Sequence, residues 1–137
     1  MRLRELAELL LRKAAQDEFT LKKLSPDPAS PDEVMGFHAQ QAIEKMLKAV
    51  LSLAEIRYRR THDLVELIDL VRERRIPFPP ELDDIRRLTP FAAEFRYDDL
   101  PLEPEEPFDR AWALECVRKT RAWAESRLRG EAGAPEG

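Results

Sequence analysis

The sequence predicts an all-α protein, an up-and-down antiparallel bundle of about five helices. Three observations predict it. Apolar residues recur every three to four positions through each long segment. Neither strict two-residue alternation nor an Asn-Gly or Asp-Gly hairpin signal occurs. Proline-rich breaks cut the chain into helix-length pieces, and short connections bring successive helices alongside each other. The 137 residues suit one domain with a real core. Residues 1–130 read as that domain, and 131–137 as a disordered tail.

The first helix is expected from Arg2 to Leu24. Leu3, Leu6, Ala7, Leu10, Ala14 and Leu21 share one face at helical spacing. Asp17 falls on the same face, so either it stays wet or it meets a polar partner inside the bundle. Ser25-Pro26-Asp27-Pro28 is a loop, because each proline drives its predecessor out of the helical region. Ser30-Pro31-Asp32-Glu33 is a start signal: Ser30 as cap, Pro31 in the first turn, Glu33 completing a capping box.

The second helix is expected from Pro31 to about Ile56. Met35, Ala39, Ala42, Ile43, Met46, Ala49, Val50 and Leu53 form a broad apolar face. The opposite face carries Val34, Phe37, Gln41, Glu44, Lys48 and Leu51. It is too apolar for plain solvent and too polar for plain core, which suits either a central helix or an oligomer interface. Ala39, Ala42 and Ala49 permit close approach of a partner helix.

Arg57-Tyr58-Arg59-Arg60 is a basic connector. Thr61 is expected to cap a third helix from His62 to Arg74, with Leu64, Leu67, Ile68 and Val71 as its core stripe. Ile76-Pro77-Phe78-Pro79-Pro80 cannot be helical. A fourth helix is expected from Pro80 to about Asp99. It carries Leu82, Ile85, Leu88, Phe91, Ala92 and Phe95, and Pro90 should kink or split it. The fifth is expected from Glu105 to Arg129, apolar on two sides, and Gly130 stops it.

The composition excludes several classes. A chain that is 43% hydrophobic and 36% charged is globular and not disordered. Its formal net charge of −4 opposes a generically basic nucleic-acid coat while leaving room for a local basic patch. Frequent proline, scarce glycine and many charges suit a thermophile's protein. The single cysteine, Cys116, excludes an intramolecular disulfide and reads as inert packing in a reducing compartment. Met1-Arg2 leads directly into a charged amphipathic pattern, and no apolar run approaches ~20 residues, so the expected location is the cytoplasm.

Most catalytic signatures are missing. There is no Gly-rich phosphate loop, His-Glu-x-x-His motif or cysteine cluster. The two histidines and Glu44 stand at no familiar ligand spacing, so neither a metal nor a cofactor is expected. Two polar constellations remain. In Arg57-Tyr58-Arg59-Arg60-Thr61-His62, arginines beside a helix N-terminus suit a phosphate, or form a solvated linker. In Phe95-Arg96-Tyr97, Arg96 compensates a helix C-terminus, or grips a nucleotide together with Tyr97.

Phe37-His38-Ala39-Gln40-Gln41-Ala42-Ile43-Glu44-Lys45-Met46-Leu47-Lys48-Ala49 resembles the signature helix of HEPN domains (higher eukaryotes and prokaryotes nucleotide-binding). Thr61-His62-Asp63-Leu64 followed by Leu67 resembles the element opening that family's next helix. Arg96-Tyr97 resembles its Arg-Tyr-Pro element, with Asp98 in place of the proline. The resemblance spans about residues 3–129 and implies a helical bundle that forms homodimers. It also implies a minimal nucleotidyltransferase as partner in a toxin-antitoxin module, and a nucleotide or RNA ligand. Family ribonucleases use Arg, four to six intervening residues, and then His. Here Arg96 is followed by Pro101, Leu102 and Glu103 at the corresponding positions, so that motif is incomplete.

The resemblance thus implies a binding subunit, drawing on His38, Lys45, Arg57, His62, Arg96 and Tyr97. Its alternatives are an active metal-independent ribonuclease toxin with Arg57, His62 and Arg96 as catalytic residues, and a non-catalytic dimerisation module.

Overall fold

The computed structural model describes residues 2–92 and 108–130. Among them lie four α-helices and one long 3-10 segment, with no strand. The helices are α1 (Arg2–Leu24), α2 (Asp32–Leu53), α3 (Leu64–Glu73) and α4 (Arg110–Leu128), and the 3-10 segment is Pro80–Phe91. The all-α bundle is as the sequence predicts. The expected tail at 131–137, the loop at 100–104, the start of the last helix at Glu105, and Arg96 and Tyr97 lie outside the described residues.

The core forms around α2, which packs against every other element. More than half of α2 is buried, on both of its apolar sides. α1 and α4 pack along it and against each other, while α3 and the 3-10 segment cover its remaining flank. Asp17 of α1 meets His38 and Lys45, and Ala7 clusters with Ala49, so α1 and α2 run antiparallel. The small Ala39, Ala42 and Ala49 are all fully buried, which is what close helix approach requires.

Several boundaries differ from the sequence expectation for identifiable reasons. Ser30 does not cap α2. Its hydroxyl donates to the Leu24 carbonyl at the end of α1 (2.9 Å), which also accepts from the Asp27 amide (3.1 Å). Pro31 takes the cap position of α2, without a side-chain bond. Asp63, and not Thr61, caps α3 by accepting from the Val65 amide (2.9 Å). Thr61 accepts from Asp63 N, and Thr89 accepts from Leu64 N, one step further in.

The fourth element is 3-10 and not α over its described length. Leu82, Ile85, Leu88 and Phe91 are three apart, so at three residues per turn they make one straight stripe. Leu82, Ile85 and Leu88 are buried. Pro90 lacks the amide that an α-helix needs there, and its ring crowds the carbonyl four residues back.

On α1 the buried residues are Ala7, Ala14, Glu18 and Leu21. Leu3 and Leu6, expected in the core, are 38% and 39% exposed. Beyond Leu53 there is no α2 left to cover them, and they border a groove with Ser52, Ile56 and Tyr58. The buried Glu18 is matched by Arg121 of α4 (3.1 Å) and Lys22 (3.3 Å).

α2 and α3 end alike. Glu55 and Arg75 have φ of 62° and 59°. Ile56 N donates to Leu51 O and Ile76 N to Val71 O, the long bond of a Schellman motif. Ile56 is buried in the core, and Ile76 packs against it. Gly130 provides the same left-handed turn after α4, as expected.

Candidate functional site

Along one side of α2, the spacing His38, Gln41, Lys45, Lys48 and Ser52 places polar side chains in a row. The row is organised into two networks that tie α2 to its neighbours.

The first network joins α1 to α2. Asp17, only 12% exposed, uses both carboxylate oxygens. His38 Nδ1 lies 3.0 Å from Oδ1, and Lys45 donates to Oδ2 at 2.5 Å. Asp17 therefore meets polar partners inside the bundle, the sharper of the two sequence readings. The Phe37 ring stands edge-on to the His38 imidazole, with centroids 5.1 Å apart.

The second network joins α2 to the connector before α3. Glu44, 5% exposed, accepts from His62 Nδ1 (2.8 Å) and Gln40 Nε2 (2.8 Å) on one oxygen, and from Lys48 (2.9 Å) on the other. Gln40 is fully buried and fully used: it donates also to the His62 carbonyl (3.0 Å) and accepts from Gln41 (2.7 Å). Burial alone would raise the Glu44 carboxyl. The bonds from Lys48, Gln40 and His62 outweigh it and hold Glu44 below the usual glutamate value. Lys48 also lies over the Tyr58 ring, and the Tyr58 hydroxyl reaches Ser52 (3.2 Å).

These networks explain the odd face of α2. Glu44 and Leu51 are buried within this chain, and Glu44 is satisfied from the connector by His62. Val34, Phe37, Gln41 and Lys48 remain partly accessible.

The predicted site residues divide as follows. His38 and Lys45 meet at Asp17, and His62 is held by Glu44. Arg57 and Arg60 are exposed in the connector. Arg59 is engaged by Glu66 through a two-oxygen bond at 2.9 and 2.8 Å. Arg57 borders two grooves. One is lined also by Asp63, Glu66, Asp69 and Glu73, which repel a phosphate. The other is the more apolar one beside Leu3, Leu6 and Tyr58.

The amides of Leu64 and Val65 at the start of α3 are already taken by Thr89 and Asp63. A phosphate at the connector would therefore rest on side chains and not on that helix terminus. Among the described residues no group of three potential metal-ligand side chains clusters. No helix among them is long and apolar enough to cross a membrane.

The sequence did not reveal Asp17 as a fixed partner or Glu44 as the hub of the second network. For Asp17 the signal was a carboxylate on an apolar face. For Glu44 it was a carboxylate four residues after Gln40 and four before Lys48.

The profile of the HEPN domain family covers residues 7–127, from the first buried alanine of α1 to the last turn of α4. No curated protein and no solved structure matches the chain.

Proposed function

The chain belongs to the HEPN domain family, and from that premise we propose that it is a binding subunit for nucleotide or RNA phosphates. In this reading it works in the cytoplasm as a homodimer beside a minimal nucleotidyltransferase, in a toxin-antitoxin module. The observation that carries it is the polar row of α2. His38, Lys45 and Lys48 run along one helix side, and the connector that His62 anchors to Glu44 carries the exposed Arg57 and Arg60. Phosphate recognition needs cations and hydrogen-bond donors held on a rigid frame. Arg96 and Tyr97 join the set from the sequence resemblance alone.

A thermal-shift panel of nucleotides and short RNAs tests the ligand. Co-expression with the product of the neighbouring gene tests the partner. A ligand-dependent rise in melting temperature that Arg57→Ala abolishes is the expected result. No shift with any nucleotide or RNA, together with a neighbour that is not a nucleotidyltransferase, overturns the reading.

One observation favours the alternative of an active ribonuclease. His62 is held through Nδ1 by Glu44, the geometry that orients an imidazole for proton transfer. That reading uses Arg57, His62 and Arg96 as the catalytic set. RNA cleavage by wild type that His62→Ala removes would establish it.

A further inference from the structure

The basic connector lies against an acidic helix face. Asp63, Glu66, Asp69 and Glu73 recur every three to four residues and line one groove with Arg57, Tyr58 and Arg59. The Asp63 carboxylate caps α3, and Asp69 lies 3.8 Å from Arg86. Glu66 turns to the connector instead. Both of its oxygens accept from Arg59 Nε, at 2.9 and 2.8 Å.

The fold does not depend on this contact. The Arg59 side chain is 71% exposed and that of Glu66 32%, and ion pairs so open to water contribute little to stability. The first amides of α3 have other acceptors, Thr89 for Leu64 and Asp63 for Val65. The connector has other anchors: His62 on Glu44, the Tyr58 hydroxyl at Ser52, and Lys48 over the Tyr58 ring. Arg59 can therefore change partners while its backbone stays in place. A carboxylate and a phosphate present the same thing to a guanidinium, a pair of anionic oxygens side by side.

We propose that Glu66 is an internal stand-in for phosphate, an autoinhibitory contact that holds Arg59 until a phosphate of the ligand displaces it. The proposal rests on the RNA-phosphate reading above and adds to it a binding residue, Arg59, and a brake, Glu66. The exposed Arg57 and Arg60 on either side make the first contact. Arg59 then leaves Glu66 and joins them. The affinity of the connector is thus set by competition between an anion of the ligand and an anion of α3.

The test is an anisotropy titration of the full chain with a short fluorescent single-stranded RNA at low salt. It compares wild type, Glu66→Gln, Arg59→Ala and the double variant. Glutamine keeps the shape of the side chain and suits its position three residues after the Asp63 cap, so the melting temperature should stay close to that of wild type. Glu66→Gln is expected to bind RNA about three- to fivefold more tightly than wild type. Glu66→Ala should repeat the gain. In the Arg59→Ala background the same glutamine should change affinity by less than about twofold, because the brake has nothing left to hold. An equal gain in both backgrounds makes Glu66 merely one more negative charge and overturns the proposal. Unchanged or weaker binding by both Glu66 variants also overturns it. In either case wild type still binds RNA and the phosphate reading stands. RNA binding by none of these proteins overturns both.

Discussion

Glu44 shows what a single residue does in this chain. It is buried, yet three donors from α2 and the connector converge on it. Glu44→Ala leaves those donors without their acceptor in a site where water enters poorly. The expected loss is about 2–4 kcal/mol by denaturant titration. The pH dependence follows from the same bonds. The folded carboxyl titrates below the ordinary value of 4.5 that the unfolded chain retains. Between the two values the unfolded chain binds a proton that the native chain refuses, so stability rises with pH there. The contribution is complete above about pH 5 and is lost as acid carries the pH through the lowered folded value. Calorimetry on Glu44→Gln should therefore show a flatter acid limb than wild type.

Gly36 is a second single-residue constraint. A Cβ there would run into the Phe91 ring, which itself stands edge-on to Phe108 at 5.3 Å. Gly36→Ala should cost about 1–3 kcal/mol, read as a lower melting temperature. Cys116 is a third case. Burial pushes its thiol up to about 11, so it should resist a thiol reagent at about pH 8 until the chain is unfolded.

At the scale of elements, the helix ends are where stability can be gained. Glu55 and Arg75 occupy left-handed turns that favour glycine. Glu55→Gly and Arg75→Gly should each raise stability by about 0.5–1 kcal/mol, measured as a higher urea midpoint. These ends were not legible in the sequence, because neither carries the glycine that usually marks such a turn. The helices themselves were legible. Their apolar periodicity is strong, and the core stripes of α2 and α3 fall where the spacing puts them. The 3-10 segment was misread because Leu82, Ile85, Leu88 and Phe91 satisfy both a three-residue and a 3.6-residue period over so short a span. For the site, the row on α2 was visible as residues, but its partners were not. Asp17 and His62 are 21 and 18 positions from the groups they bind, and nothing local in the chain encodes those pairings.

The whole molecule depends on a few links between distant parts of the chain. Arg110, at the start of α4, donates to the carbonyls of Ser25 (2.9 Å), Asp27 (2.8 Å) and Ser30 (2.5 Å). It thereby ties α4 to the loop between α1 and α2, which sets how α1 lies against α2 and so where Asp17 meets His38. Arg110→Ala should cost about 2–3 kcal/mol and speed hydrogen exchange in residues 25–31. This frame holds the polar row of α2 and the connector with Arg57 in one arrangement, and the central claim is that the arrangement binds RNA phosphates. Arg57 is exposed and makes no hydrogen bond or ion pair among the described residues, so Arg57→Ala should leave the melting temperature unchanged. The most direct test is an anisotropy titration of a short single-stranded RNA against wild type and this variant. The prediction is salt-sensitive binding that weakens about tenfold in Arg57→Ala. Absence of binding to wild type, or equal affinity in the two proteins, would contradict it.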